Sequence, residues 1–135
     1  MSDAAAVTEM RLIVTARDYD AALRFYRDAL GLREHSEFVS DGGGHVTILE
    51  AGRATLEITD ERNAQFVDDV EVGRRVGGHL RVAFEVPDAA AATRKLVEAG
   101  ADLVAEPTET PWGSLNSRLE APAGLQLTLF GPGPA

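Results

Sequence analysis

Hydrophobic and polar positions follow two different periods along this chain, and the change of period occurs twice. An apolar, strand-like run ends just before Asp18, and after it apolar positions recur every three to four residues until Gly31. A second strand-like run ends before Asp88, and the helical period that follows it stops at Gly100. Asp is a favoured N-cap and Gly a favoured residue just past a helix end, so the pattern predicts two capped helices, each preceded by a strand.

The two strand–helix units are related by a constant offset. Asp18 and Asp88 lie 70 positions apart, and the same offset pairs Arg11 with Arg81. Three extended segments follow each helix, so each half is predicted to be β-α-β-β-β within one α+β domain. The predicted boundaries are a flexible tail at 1–8, a domain at 9–131 with module 1 at about 9–60, an irregular linker at 61–78 and module 2 at about 79–131, and a tail at 132–135.

Composition narrows the partners and the chemistry. The formal charge of −9 and the pI near 4.7 disfavour nucleic acid and anionic membranes, both of which attract clustered Lys and Arg, and they favour a cationic small molecule. The absence of Cys excludes disulfides, thiolate metal sites and cysteine nucleophiles. No basic and apolar leader and no apolar run of bilayer-spanning length are present, so we expect a soluble cytoplasmic protein.

Two motifs carry a family resemblance. The first is "ARDYDAALRFYRDALGL", which contains D-x-x-x-A-x-x-F-Y-x-x-x-L-G, and the second is "TPWG" followed by "APAG" and "LTLF". Together with the paired modules they resemble the vicinal oxygen chelate superfamily of glyoxalases, bleomycin-resistance proteins and extradiol dioxygenases, nearest the metal-free bleomycin-resistance-like members. The resemblance implies that two half-cups of a curved mixed sheet enclose a central cavity, and that the protein is a homodimer. The helical spacing of Phe25 and Tyr26 predicts that both pack in the core.

Strand alternation then assigns side chains to the cavity. One face of each predicted strand continues the apolar core, so the other face must line the cup. Trp112, in a Pro-Trp-Gly turn, either offers a flat wall for a ring or plugs the mouth of the curved sheet. The predicted ligand-binding residues are Arg11, Thr15, Glu57, His79, Arg81, Trp112, Gln126 and Thr128.

The resemblance also locates the positions at which metal-using members of the superfamily hold their ion. Those positions here are Arg11, Glu57, Arg81 and Thr128. A guanidinium has no lone pair to donate, so only Glu57 has the chemistry of a ligand. We therefore expect no metal and no cofactor, and hypothesise that Arg11 and Arg81 replace the ion electrostatically, with Glu57 bridging them.

Three functions remain open on the sequence. The favoured one is a metal-free protein that sequesters a cationic or aromatic compound such as an antibiotic, without turnover. A metal-dependent lyase, isomerase or dioxygenase would require a shifted strand register in which His79 and His45 join Glu57. In a metal-free enzyme, Glu57 would act as general base while Arg11 or Arg81 stabilises an oxyanion. Glu57 is the single catalytic candidate.

Overall fold

Eight strands form one curved, open sheet in the computed structural model, which describes residues 6–134. Three α-helices join them: α1 (Tyr19–Leu23), which continues into a π-helical segment at Arg24–Ala29, α2 (Glu61–Glu71) and α3 (Ala89–Glu98). The strands are β1 (Glu9–Thr15), β2 (Arg33–Val39), β3 (His45–Ala51), β4 (Ala54–Thr59), β5 (Leu80–Glu85), β6 (Asp102–Glu109), β7 (Ser114–Ala121) and β8 (Leu125–Pro132).

The strand order shows the internal repeat directly. The order is β2-β3-β4-β1-β5-β8-β7-β6, so each module supplies one continuous half of the sheet. The first strand of each module pairs in parallel with its own last strand, β1 with β4 and β5 with β8. The modules join where β1 and β5 pair antiparallel, with Ile13 opposite Arg81. The predicted α+β architecture of two βαβββ modules is confirmed.

The helices α1 and α3 cover one face of the sheet, and α2 lies over the other. Leu23, Leu49 and Ile58 form the buried centre of the first module, and Val86, Ala89, Ala101, Leu119 and Leu129 form that of the second. Because side chains alternate along a strand, the residues between these apolar positions point to the opposite face. That face lines the cavity.

The first predicted helix departs from its expected geometry. Asp18 caps it as predicted, its Oδ1 accepting a hydrogen bond from the Ala21 amide at 2.9 Å. The prediction that Phe25 packs in the core is wrong, because Phe25 is 61% exposed. The reason is the π-helical segment, whose wider turns move an i, i+3, i+4 stripe away from a single face. Tyr26 still packs against the module's core.

The predicted irregular linker contains a helix. Asp60 caps α2 by accepting a hydrogen bond from the Asn63 amide at 2.8 Å. The residues that α2 buries most fully are polar, namely Asn63, Asp68 and Glu71, while its apolar residues Phe66, Val67 and Val70 are only half-buried. At its first turn α2 lies so close to the β2–β3 turn that a Cβ on Gly44 would meet the Asn63 nitrogen at 2.4 Å. Only glycine fits that contact.

The two predicted tails lie partly within the described residues. Residues 1–5 of the predicted N-terminal tail and Ala135 of the predicted C-terminal tail lie outside the described residues. Thr8 donates a hydrogen bond through its hydroxyl to Glu85 at 2.6 Å, and β8 extends to Pro132. Over residues 6–134, no helix is both long and apolar enough to cross a membrane.

Candidate functional site

A cavity of about 800 Å³ lies between the concave face of the sheet and helix α2. Both modules contribute to it, and α2 closes one side with Asn63, Phe66 and Val67. Apolar and aromatic side chains supply much of the remaining wall: Ile13, Phe38, Val46, Ile48, Ala83, Pro111, Trp112 and Phe130. This size and mixture are typical of pockets for small organic molecules.

Glu57 and Arg11 form an ion pair within the cavity. Strand β4 presents the Glu57 side chain, which is 14% exposed, and its Oε2 lies 3.6 Å from Nη1 of Arg11. Burial raises the pKa of Glu57, although the charges of Arg11 and Arg81 oppose the rise. Arg11 is held by Glu9 as well, and its guanidinium carbon lies 4.7 Å from the centre of the Phe130 ring. Arg11 is therefore fixed on several sides.

Arg81, on the adjacent strand β5, has different partners. Its Nη1 donates a hydrogen bond to Oγ1 of Thr128 at 2.7 Å. No carboxylate of the described residues lies within 4.0 Å of its guanidinium, so Glu57 pairs with Arg11 alone and the predicted bridge between the two arginines is wrong. Burial lowers the pKa of Arg81, although the charge of Glu71 opposes the change.

Of three further predicted residues, two line the cavity and one does not. Thr15 lines the cavity, and so does Trp112, which is 50% exposed with its ring centre 6.3 Å from that of Phe66. His79 does not line it: β5 begins only at Leu80, so His79 precedes the strand and its side chain is exposed.

Gln126 also departs from its predicted place, because it does not line the cavity. It is 8% exposed, accepts a hydrogen bond from Nη1 of Arg118 at 2.8 Å and donates one to Glu120 at 2.9 Å. Its amide is thus used within the protein rather than presented to the cavity. Thr128, its neighbour two positions on, does line the cavity beside Arg81.

The residues at the family's metal positions do not fit a metal ion. Two of the four, Arg11 and Arg81, bring positive charge and no donor lone pair. The alternative set of Glu57, His45 and His79 also fails, because neither histidine lines the cavity. The His45 ring lies instead 5.7 Å from that of Tyr19. Within the part of the chain that the structure describes, no three His, Cys, Asp or Glu residues are grouped to hold an ion.

A buried charge network on the α2 side of the cavity was not predicted. Arg118, on β7, is fully buried and donates hydrogen bonds to Asp68 Oδ1 at 2.8 Å and to Glu71 Oε1 at 2.9 Å. Asn116 adds a hydrogen bond to Glu71 at 2.9 Å. The network therefore ties α2 to the second module. Its acidic members lie about 50 positions before Arg118, so no local pattern joins them.

Asp68, like Glu71, accepts four hydrogen bonds through its carboxylate. Its Oδ2 accepts hydrogen bonds from the amides of Val76 and Gly77, both at 2.7 Å, and from Arg75 at 2.9 Å. Burial acts to raise the pKa of Asp68, but these amide hydrogen bonds and Arg118 outweigh it, and the pKa is lowered. Asp68 thus holds the segment after α2 as well as α2 itself.

The fold and the cavity define a known class. The chain belongs to the Glyoxalase/Bleomycin resistance protein/Dioxygenase superfamily, whose family model matches residues 9–129. That membership confirms the superfamily resemblance of the sequence. It does not distinguish the metal-free bleomycin-resistance-like members from the others. No curated protein sequence matches the chain.

Several solved structures share the fold. Methylmalonyl-CoA epimerase from Mycobacterium tuberculosis is 23% identical, with a TM-score of 0.68 over 99% of this chain and 94% of that one. A Streptomyces coelicolor methylmalonyl-CoA epimerase variant, in complex with 2-nitronate-propionyl-CoA, is 20% identical, with a TM-score of 0.66 over 95% and 99%. A superfamily member from Vibrio splendidus 12B01 is 12% identical, with a TM-score of 0.63 over 91% and 97%. At these identities the likeness shows the fold alone.

Proposed function

We propose that this protein binds a small organic molecule inside the cup, and that no metal ion takes part in holding it. The observation that carries the proposal is the cavity of about 800 Å³ with Arg11 and Arg81 at the family's metal positions. A cation held between two guanidinium groups in a partly buried site would be repelled by both. The ligand itself must then meet the charged groups of the floor.

The walls favour a ligand with a flat apolar part. Trp112 and Phe66 lie near each other on one side, and Phe38 lies on β2 of the other module. Aromatic side chains contact planar rings over a large area at little conformational cost. Sequestration of an aromatic compound such as an antibiotic is the form of this function that we favour.

The binding test uses the protein's own fluorescence. Trp112 is the sole Trp of the chain and lies at the cavity, so its emission reports on ligand there without labelling. We expect at least one compound of a panel of aromatic antibiotics, cationic and anionic, to bind with a Kd in the micromolar range or below, about −8 kcal/mol or stronger. Isothermal titration calorimetry would confirm the stoichiometry. Failure of every compound at about millimolar concentration would contradict the proposal.

A second function, proton transfer without a metal, is favoured by one observation. Glu57 is buried in the cavity, and burial raises its pKa toward the range of an effective general base. The similar folds of methylmalonyl-CoA epimerases make a thioester with an acidic C–H, methylmalonyl-CoA first, a reasonable compound to test. Arg11, 3.6 Å from Glu57, would stabilise negative charge on the substrate's oxygen.

The variant Glu57→Gln separates the two functions. An enzyme that uses this carboxylate as base would lose turnover by about 100-fold or more, whereas a binding protein would lose at most some affinity. Glu50→Gln, an exposed carboxylate on β3, is the matched control and should change neither. Unchanged turnover in Glu57→Gln would exclude the base role.

Metal content tests the third alternative. We expect protein loaded with Zn²⁺, Ni²⁺, Mn²⁺ or Fe²⁺ and then dialysed to retain far less than one ion per chain, since an ion needs three or more ligands and no three His, Asp or Glu side chains of the described residues are grouped to supply them. Plasma mass spectrometry measures this. Stoichiometric retention that disappears in Glu57→Ala would show that the arginines move aside for an ion and would favour a metal-dependent lyase, isomerase or dioxygenase.

A further inference from the structure

We propose that the ligand of this cavity carries a carboxylate, and that Arg81 is the residue that binds it. This inference rests on the proposed small-molecule binding and names the chemistry of its ligand. It differs from the expectation drawn from net charge, which favours a cation. The charge of the whole surface governs approach, but the groups inside the cavity govern what stays there.

Arg81 differs from the other arginines of the cavity lining in having no carboxylate in direct contact, although the charges of Glu71 and Glu57 act on it from farther away. Arg11 pairs with Glu9 and Glu57, and Arg75 pairs with Asp68 and Glu61. For Arg81 the structure gives a single hydrogen bond, to the Thr128 hydroxyl, and no carboxylate of the described residues within 4.0 Å. Buried charges in proteins are paired as a rule, because leaving water without a partner is costly. A guanidinium left unpaired beside a cavity indicates that its partner comes from outside.

The unused part of the guanidinium has the geometry of a carboxylate site. Nη1 is engaged with Thr128, which leaves Nε and Nη2 without an acceptor in the described part of the chain. Their N–H groups point the same way and form the two-pronged edge that matches the two oxygens of a carboxylate. Neither nitrogen is a fully buried atom without a partner, which among the described residues is true of Thr55 Oγ1 alone, so each keeps some exposed surface, and Arg81 lines the cavity. The fork is both unoccupied by protein and accessible.

The surroundings hold the fork in place. Thr128 is 1% exposed and is itself within 3.4 Å of Glu71, so the side chain that receives Nη1 cannot move freely. Glu71 in turn is held by Arg118 at 2.9 Å. Ala83, two positions along β5 on the same face, is too small to cover the guanidinium. A ligand carboxylate would therefore meet a fixed, partly desolvated donor pair, in which charge-assisted hydrogen bonds are stronger than in water.

The test uses three probes of nearly equal shape and different charge: 2-naphthoate, 2-naphthamide and 2-naphthamidinium. Their naphthyl ring fits the aromatic wall, and only the head group changes. We expect the full chain to bind 2-naphthoate at least tenfold more tightly than either of the others by calorimetry at low salt. In Arg81→Gln this preference should disappear, and in Arg81→Lys, which keeps the charge but lacks the fork, it should be only partly retained. Arg53→Gln, an exposed arginine in the β3–β4 turn, is the control and should behave as the native protein.

The outcomes separate this inference from the proposed function. If all three probes bind equally, or if 2-naphthamidinium binds best, the cavity binds small molecules but the carboxylate inference is wrong. Unchanged preference in both a folded Arg81→Gln and a folded Arg81→Lys, each checked by circular dichroism, would also overturn it. If no probe binds at concentrations at which its fluorescence titration is reliable, both the inference and the proposed aromatic ligand fail. Preference for 2-naphthoate that follows Arg81 supports both.

Discussion

At the scale of single residues, the surroundings of Glu57 disfavour its ionised form. Its carboxylate is buried, which raises its pKa above the ordinary value for glutamate, and Arg11 at 3.6 Å only partly offsets this. The folded protein therefore holds the Glu57 proton more tightly than the unfolded chain does. The stability that this proton contributes is fully present below the ordinary glutamate pKa and is lost as the pH rises through the raised value.

We therefore predict that Glu57→Gln, which cannot ionise, gains stability relative to the native protein as the pH rises. The free energy of unfolding in urea, measured for both proteins at about pH 4 and about pH 8, should show a difference that shifts in favour of the variant at the higher pH. Glu50→Gln, with an exposed side chain, should show the same small difference at both. A difference for Glu57→Gln that is independent of pH would mean that Glu57 ionises as freely as it does in water.

Most residues that the sequence placed correctly belong to a strand, and Trp112, in the turn before β7, is the exception. Alternation along β1, β4, β5 and β8 put Arg11, Glu57, Arg81 and Thr128 on the cavity face, where they lie. Their role as ligand contacts stays a prediction. His79 was misplaced because alternation was extended one residue beyond the strand end, and the partner of each arginine could not be predicted, since rotamers depend on neighbours that are distant in sequence.

At the scale of elements, α2 is the part of the fold that most affects the site. It packs on the β2–β3 turn at Gly44, and at its other end Arg118 of the second module binds Asp68 and Glu71. The helix thus spans the two modules across the cavity. Its only strongly apolar residues, Phe66, Val67 and Val70, span little more than one turn, so its helical period is short, and its fully buried residues are polar. The one sequence signal for it was Asp60, an N-cap of the same kind as Asp18 and Asp88.

We predict that Arg118→Met destabilises the protein by about 3–5 kcal/mol, because it leaves the buried Glu71 without its counter-charge and the buried Asp68 with Arg75 alone. Urea denaturation measures the loss, and hydrogen exchange should show the amides of α2 losing protection before those of the sheet. Arg33→Met is the control: Arg33 is 84% exposed, its pair with Glu50 is 3.7 Å long, and its loss should cost about 0–1 kcal/mol. Equal effects of the two substitutions would show that the network does not hold α2.

At the scale of the whole molecule, the sheet is open and its two edges are unequal. The edge strand β6 carries Pro107, which lacks an N–H and so discourages pairing with another strand. The other edge, β2, has no proline and ends in Phe38 and Val39, which are 56% and 61% exposed. Both residues also border the cavity. A second copy of the chain on this edge would cover apolar surface and close the cavity's rim in one step.

The homodimer expected from the sequence is therefore predicted to use the β2 edge. Sedimentation velocity should give a dimer for the native protein, and Val39→Lys should weaken dimerisation at least tenfold, since two like charges would face each other across the edge. Leu103→Lys, which places the same charge on the β6 edge at a residue 39% exposed, should leave the dimer intact. Because Val39 borders the cavity, linkage requires any ligand that binds the dimer more tightly to strengthen dimerisation by the same factor. A dimer that Leu103→Lys dissociates and Val39→Lys does not would assign the interface to the opposite edge and leave the cavity rim open to solvent.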